Sequence, residues 1–199
     1  GDAEQNYRLG NLLWSVSLAV SYLAVVIVGP VCGAVMDFSA SRKRFLFASY
    51  VVTVVTTAML YFVAPGYVVL GMVLIVFSNF GYAIGESFIA SFLPDLGPPE
   101  ALGRISGFGW AFGYIGGLVS TAFALLFLGE VSAENFQNVR WVGPFAGGFF
   151  LVTAIPTFLW LKERGRPRRL ARPTQYVALG VRRVRDTLAT VGNHRDLAW

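Results

Sequence analysis

The sequence predicts an all-α integral membrane protein, a helical bundle with five transmembrane helices. Charged residues are absent from four long stretches: 11–36, 45–85, 105–129 and 141–161. A helix crosses the hydrocarbon core of a bilayer with about 20 apolar residues, so three of these stretches each supply one span. The stretch 45–85 is about twice that length, and Ala64-Pro65-Gly66-Tyr67 interrupts it with a turn signal, so it supplies two.

Composition excludes the main alternatives. Hydrophobic residues make up 55% of the 199 residues and charged residues only 14%, which leaves too little polar surface for a soluble domain. The apolar stretches are continuous, whereas a membrane β-barrel alternates apolar and polar residues in segments of about ten. Cys32 is the only cysteine, so the chain cannot form an internal disulfide or a thiolate metal site.

The spans are predicted in order from the charge-free runs and the turn signal: 11–36, 45–64, 67–92, 104–128 and 141–161. The first contains Pro30, which membrane helices tolerate because neighbouring helices satisfy the freed carbonyl group. Trp14 and Trp141 fall at span ends, as expected for aromatic residues at the membrane interface. Residues 162–199 are predicted to form a basic cytoplasmic linker toward a missing C-terminal half.

The net charge of +5 has two interpretations, nucleic-acid binding or membrane orientation. Fourteen basic residues, at 42–44, at 104 and in the tail from 162 onward, fall on one predicted side of the membrane, and only Arg8 and Arg140 fall on the other. Basic loops stay on the cytoplasmic side. The distribution therefore predicts a cytoplasmic C-terminal segment, an outside N-terminus, a lipid bilayer as partner and no nucleic acid.

Five spans with an outside N-terminus suggest that another helix precedes Gly1. One added helix gives six spans followed by a basic segment, which is the shape of one half of a larger transporter. The missing helices of the same parent polypeptide are then expected as partners of this bundle.

The segment from Gly33 to Arg44 carries the first functional signal. Asp37 lies at the end of the first span, and Arg42, Lys43 and Arg44 follow in a short loop, so the loop can lock or release a neighbouring helix. The simpler interpretation is anchoring at the membrane interface. This segment resembles the loop signature between the second and third helices of the major facilitator superfamily. The resemblance implies that Gly33, Asp37 and Arg42 form a gating latch between the halves.

A second segment resembles the vacuolar amino-acid effluxer family and its bacterial relatives. The matching residues are the Leu93-Pro94-Asp95-Leu96 turn and the glycine-rich run of 103–117, which reads Gly-Arg-Ile-Ser-Gly-Phe-Gly-Trp and then Gly-Tyr-Ile-Gly-Gly. The resemblance implies the N-terminal half of a transporter in a bacterial inner membrane, amino-acid transport in the direction of efflux, and no cofactor.

Independent of any family, five glycines of the fourth span recur at short spacing and give one flat helix face that favours close helix packing: Gly103, Gly107, Gly109, Gly113 and Gly117. A flat face of this kind also permits sliding between two bundles during alternating access. The spacing does not separate the two uses.

The third span carries the candidate solute-binding face. Asn79, Tyr82 and Glu86 fall at i, i+3 and i+7, so they share one helix face, which should line the bundle interior or a water-filled path. Glu86 is a candidate for carrying a proton; alternatively it lies at the interface and pairs with Arg104 or the 42–44 cluster. Trp110 and Tyr114, one turn apart on the next span, are predicted either to line the same cavity or to pack.

The prediction is a secondary active transporter that moves small solutes by alternating access. The alternative is a non-transporting membrane scaffold or assembly subunit that uses its glycine faces for assembly. An enzyme is not expected, because His194 is the only histidine and no acidic or cysteine cluster with metal-ligand spacing accompanies it.

Overall fold

The computed structural model describes residues 2–39, 41–129, 132, 134–163, 175, 178–182, 185–186 and 189, and its regular structure there is helical. The helices of the bundle, in chain order, are α1 (Asp2–Ser39), α2 (Arg42–Met59), α3 (Val68–Ala90), α4 (Pro99–Phe123), α5 (Phe136–Val139) and α6 (Val142–Trp160). Within the described part, five of them, α1, α2, α3, α4 and α6, are long and apolar enough to cross a membrane. The predicted all-α bundle of five spans is therefore confirmed.

Short irregular helices extend three of the spans. A 3-10 turn, Leu60–Phe62, continues α2, and a second one, Leu93–Asp95, follows α3. A π-helical segment, Ala124–Leu128, continues α4. The linker predicted at 162–199 lies largely outside the described residues. The part of it that the structure describes is 162–163, 175, 178–182, 185–186 and 189.

The turn inside the long charge-free stretch lies where the Ala-Pro-Gly-Tyr signal is. The Tyr67 amide donates a 2.9 Å hydrogen bond to the Ala64 carbonyl, and Gly66 between them has φ of 94°. Glycine adopts this left-handed conformation without the steric cost of a Cβ atom. The stretch therefore folds back as two antiparallel helices, α2 and α3.

Helix α2 is the centre of the packing: it lies against α3 on one side and α6 on another, while α1 packs on α3. Two glycines permit these close approaches. A Cβ atom at Gly81 of α3 would lie 2.7 Å from Thr53 Oγ1 of α2, and one at Gly143 of α6 would lie 2.5 Å from the Thr57 carbonyl oxygen. Small residues at such positions allow backbones to come together, which gives membrane helices their van der Waals packing.

The bundle has two chemically different ends. At one end of the bundle α1, α3 and α6 end and α2 and α4 begin. We call it the basic end, because it carries Arg42, Lys43, Arg44, Arg104 and Lys162. The largest buried apolar cluster lies near this end and consists of Met36, Leu46, Ile84, Phe88 and Phe92. Elsewhere large apolar side chains such as Val26, Leu126 and Leu159 are exposed, as expected for helices that face lipid.

Candidate functional site

The polar face of α3 begins at the middle of the span. Asn79 lies 11 residues from each end of α3, which places it at the midplane of the helix. Its side-chain Nδ2 donates a short hydrogen bond to the Ser21 hydroxyl of α1. Ser21 and Ser17, one turn apart on α1, are both fully buried. One amide proton of Asn79 is thus used to join α1 to α3, and the rest of the amide is available to a ligand.

Asn79 and Tyr82 line a cavity of about 720 Å³ that all five spans bound. Its polar lining includes Thr57 and Ser78, whose hydroxyl oxygens lie 2.6 Å apart and join α2 to α3. Each of the other spans contributes apolar or small residues, among them Trp14, Phe112, Gly113, Gly116 and Phe149. The lining residues carry no formal charge. A solute that enters here is therefore met by hydroxyl and amide groups and by aromatic rings.

Glu86 lies in a second, smaller cavity of about 240 Å³ between α2, α3 and α6. The two cavities adjoin, because Thr53, Tyr82, Phe150 and Thr153 line both. Glu86 is four residues before the end of α3, which is about 6 Å along the helix axis from the basic end. In the described part of the chain Glu86 has no ion pair, and Arg42, one of its expected partners, pairs with Asp95 instead.

Trp110 and Tyr114 lie together but away from both cavities. Their ring centroids are 6.3 Å apart, and the two residues are 63% and 70% exposed. The residues of α4 that line the larger cavity are Phe112, Gly113, Gly116, Gly117 and Ser120. Of the predicted solute-binding residues, Asn79 and Tyr82 line the larger cavity and Tyr82 and Glu86 the smaller one. Trp110 and Tyr114 line neither.

The glycine face of α4 has no close neighbour among the described residues. A Cβ atom placed at Gly103, Gly107, Gly109, Gly113 or Gly117 would meet no atom within 4 Å. Near its C-terminal end, in contrast, α4 is held to α6 by the Phe123 and Phe145 rings, which stack with centroids 3.5 Å apart. The middle of α4 is therefore open on its glycine face, and the predicted packing role of these glycines stays a prediction.

Of the three predicted latch residues, Arg42 makes side-chain contacts within this bundle, so the latch between the halves stays a prediction. Arg42 Nη2 donates a 2.7 Å hydrogen bond to Asp95 Oδ2, its Nη1 donates a 2.8 Å bond to the Ser91 carbonyl, and its guanidinium lies 4.7 Å from the centroid of the Phe92 ring. Gly33, in α1, has open space around the position of a Cβ atom. Asp37 lies in the last turns of α1, and its side chain is outside the described part.

Further contacts join α2 to α6, and sequence reasoning did not identify them. Lys43 Nζ donates a 2.9 Å hydrogen bond to the Leu161 carbonyl at the basic end, and Tyr50 Oη donates a 2.8 Å bond to the Leu151 carbonyl. A side chain that reaches a backbone carbonyl leaves no pattern in the sequence. Asp95, in contrast, is part of the Leu-Pro-Asp-Leu turn, so the motif marked it although its partner was not foreseen.

At the opposite end Arg140 joins α6 to α2. Its Nε donates a 2.7 Å hydrogen bond to the Tyr61 carbonyl, and its guanidinium lies 4.2 Å from the Tyr61 ring centroid and 5.4 Å from that of Phe136. Planar stacking of this kind together with a hydrogen-bonding fork is a property of arginine that lysine lacks. Helices α2 and α6 are therefore joined at both ends and at mid-depth.

The arrangement offers binding but no evident metal site. Among the residues that the structure describes, no group of three or more His, Cys, Asp or Glu side chains lies close enough together to hold a metal ion. The polar side chains that line the larger cavity are neutral, and among the described residues that line the two cavities Glu86 is the one with a carboxyl group.

Comparison with known proteins gives one family and one curated relative. The family described as "Vacuole effluxer Atg22 like" matches residues 12–199. The uncharacterized MFS-type transporter YxiO of Bacillus subtilis (strain 168) is 28% identical over 142 residues, which cover 65% of this chain and 33% of the relative. The matched part is thus about a third of that relative's length. No solved structure matches the chain.

Proposed function

The chain belongs to the vacuole effluxer Atg22-like family, and from this premise we propose that it forms part of a secondary active transporter for small solutes. The name of the related Bacillus subtilis protein, an MFS-type transporter, supports this class. Five apolar spans and a largely apolar cavity at their midplane, which carries a few hydroxyl groups and the Asn79 amide, support a solute path through the membrane rather than a catalytic centre.

The observation that carries the proposal is the position of Asn79. A polar side chain at the middle of a membrane span is costly unless it has a partner, and its presence beside a cavity is the usual mark of a substrate path. Asn79 is fixed by Ser21 and lines the larger cavity together with Tyr82. We assign solute binding to Asn79 and Tyr82. The family description names an effluxer, which supports export as the direction. Amino acids are proposed as the solute class from the resemblance of the Leu93–Leu96 turn and the 103–117 run.

Alternating access is the mechanism that fits this arrangement. The Arg42–Asp95 pair and the hydrogen bonds from Lys43 and Tyr50 hold α2, the turn after α3 and α6 together. We propose that Gly33, Asp37 and Arg42 gate this body against the other half of the transporter. The open middle of α4 supports the presence of further helices of the same parent polypeptide, which complete the solute path on that side. The family and the basic end together support a cytoplasmic position for the C-terminal segment, and the bacterial relative supports a bacterial inner membrane.

The experiment is transport by the full-length protein in liposomes, with a panel of labelled amino acids. We expect uptake into or release from the vesicles, and a loss of about tenfold in Asn79→Ala, which removes hydrogen bonds to the solute. Ser87→Ala is the matched control, because Ser87 lies on α3 outside both cavities and its hydroxyl bonds to the Ala83 carbonyl of its own helix.

Two results would contradict the proposal. Transport that is unchanged in Asn79→Ala would remove the cavity from the solute path. A purified protein that moves no solute but forms a stoichiometric complex with another membrane protein would favour the scaffold function.

A further inference from the structure

A helical segment beyond the last span touches α1 through a glycine. Gly180, in the described segment 178–182, is buried against α1. A Cβ atom at this position would lie 2.9 Å from the Pro30 carbonyl oxygen and 3.1 Å from the Val31 Cα. Both neighbours are backbone atoms of a membrane helix, so they cannot move aside as a flexible side chain would. The contact therefore requires a residue without a side chain at position 180.

The contact lies near the boundary of the hydrocarbon core. The apolar span of α1 runs from Tyr7 to Gly33, so Pro30 is three residues before its end, about 4.5 Å along the helix axis. That end of α1 belongs to the basic end of the bundle. The docked segment is thus at the depth where lipid tails meet the headgroups.

The side of the segment away from α1 is exposed and basic. Arg182 is 81% exposed in its side chain, and Arg185 is exposed as well. Arg182 has a loose ion pair with Asp186, 3.7 Å between Nε and Oδ2, in which both side chains are open to the surroundings. The sequence from 164 to 199 contains nine arginines and two aspartates, so this part of the chain has a strong excess of positive charge.

We propose that residues 178–182 form a strap that docks on α1 at Pro30 through Gly180 and holds Arg182 and Arg185 against anionic phospholipid headgroups. Charge complementarity and depth together select this partner. Anionic headgroups attract basic residues close to the membrane surface, and this attraction falls off within a Debye length. The strap depends only on the contact with α1, so it does not require that the protein transports a solute.

The first test separates docking from helix formation. The full-length protein is placed in nanodiscs of phosphatidylcholine, and amide hydrogen exchange is followed at residues 178–182 in wild type and Gly180→Ala. Alanine has the highest helix propensity and glycine one of the lowest, so an undocked helix would become more protected by this change. If the segment is docked, the added methyl group displaces it, and protection falls about tenfold or more.

Ala178→Leu is the control for this test, because Ala178 is exposed on the same segment. Its protection should equal that of wild type. Equal or higher protection in Gly180→Ala would overturn the docking. Exchange at residues 46–53 of α2 should be the same in all variants, which excludes general unfolding as the cause of any change.

The second test addresses the lipid. In nanodiscs with about one third phosphatidylglycerol, the protection of residues 178–182 should be higher than in phosphatidylcholine alone. In the double variant Arg182→Gln, Arg185→Gln this gain in protection should be smaller, by a factor of about five for each arginine removed. An increase that is the same in the double variant would overturn the assignment to headgroups. If phosphatidylglycerol has no effect on protection, the assignment to headgroups is overturned as well. If protection then rises only when an acidic peptide is added, the partner is an acidic protein.

Discussion

Arg42 and Asp95 are 53 positions apart in the sequence, yet Arg42 Nη2 lies 2.7 Å from Asp95 Oδ2. The two side chains are only 16% and 30% exposed. The same guanidinium bonds to the Ser91 carbonyl, so the first residue of α2 is tied to the turn between α3 and α4 by charge and by a backbone contact. The start of one span and the reversal between two others are therefore held in a single position.

Breaking this pair should destabilise the bundle. We expect Asp95→Asn to lower the free energy of unfolding by about 1–3 kcal/mol, because it leaves a largely buried guanidinium without its counter-charge. The measurement is reversible unfolding in detergent micelles, monitored by tryptophan fluorescence. Glu100→Gln is the control, since Glu100 is an exposed carboxylate at the same end. An effect of equal size in both variants would contradict a specific role of the pair.

The architecture of this protein could be predicted from the sequence because the solvent imposes it. Lipid requires every backbone polar group to be bonded within a helix, and so the charge-free runs, their lengths and one turn signal give the number of spans. The turn at Gly66 could be predicted for a similarly local reason, since adjacent proline and glycine residues inside an apolar run are typical of a turn. These features depend on neighbours in sequence.

The site was only partly predictable because it depends on which helix faces meet. The spacing of Asn79, Tyr82 and Glu86 placed them on one face, and the structure brings them to two adjoining cavities. The same argument places Trp110 and Tyr114 on a shared face of α4, but it does not say whether that face points into the bundle. Both residues are exposed and lie away from these cavities. A helix period determines which residues lie together and leaves the rotation of the helix to tertiary packing.

Two glycines of α6 provide a matched pair for testing helix packing. Gly143→Ala places a Cβ atom 2.5 Å from the Thr57 carbonyl oxygen of α2, whereas Gly148→Ala meets no atom within 4 Å. We expect Gly143→Ala to lower the free energy of unfolding by about 1–3 kcal/mol, since the backbones must separate. Gly148→Ala should be neutral or stabilise by up to about 1 kcal/mol through helix propensity. The detergent unfolding experiment measures both, and the reverse order would refute the observed α2–α6 contact.

Tyr50 is expected to contribute through its hydroxyl group. Its Oη donates to the Leu151 carbonyl across the α2–α6 contact, while its ring packs against Phe150 and Phe158 with centroids 5.1 Å away in each case. Tyr50→Phe keeps the ring contacts and removes the hydrogen bond, so stability should fall by about 0.5–1.5 kcal/mol. Tyr22→Phe, at an exposed tyrosine of α1, should have no effect. Unfolding curves of the two variants decide this.

Arg140 should not tolerate lysine. Lysine keeps the positive charge but loses both the planar stacking on Tyr61 and the fork toward its carbonyl oxygen. We therefore expect Arg140→Lys to raise hydrogen exchange at residues 59–63, where α2 ends, by about fivefold or more. Exchange at the basic end, at residues 42–46, serves as the internal control. If Arg140→Lys behaves like wild type, the charge alone is sufficient and the stacking has no role.

The last prediction concerns Glu86, for which the sequence left two roles open. A carboxyl group paired with a cation at the interface would act as an anchor, whereas an unpaired one beside a cavity inside the bundle is suited to bind and release a proton during transport. Glu86 has no ion pair among the described residues and lines the smaller cavity with Tyr82. We therefore expect proton coupling, which Glu86→Gln removes because an amide cannot be ionised.

Transport by the full-length protein in liposomes, with and without an imposed pH gradient, measures this coupling. In wild type the gradient should change the rate of solute movement about tenfold or more, the size of effect that one obligatory protonation step gives per pH unit. In Glu86→Gln the rate of solute movement should be independent of the pH gradient. The variant should still exchange labelled for unlabelled solute across the vesicle membrane when no pH gradient is imposed. Glu100→Gln, an exposed carboxylate outside both cavities, should keep the wild-type response. A pH-driven rate that survives in Glu86→Gln would assign the proton to another group and leave Glu86 an anchor at the interface.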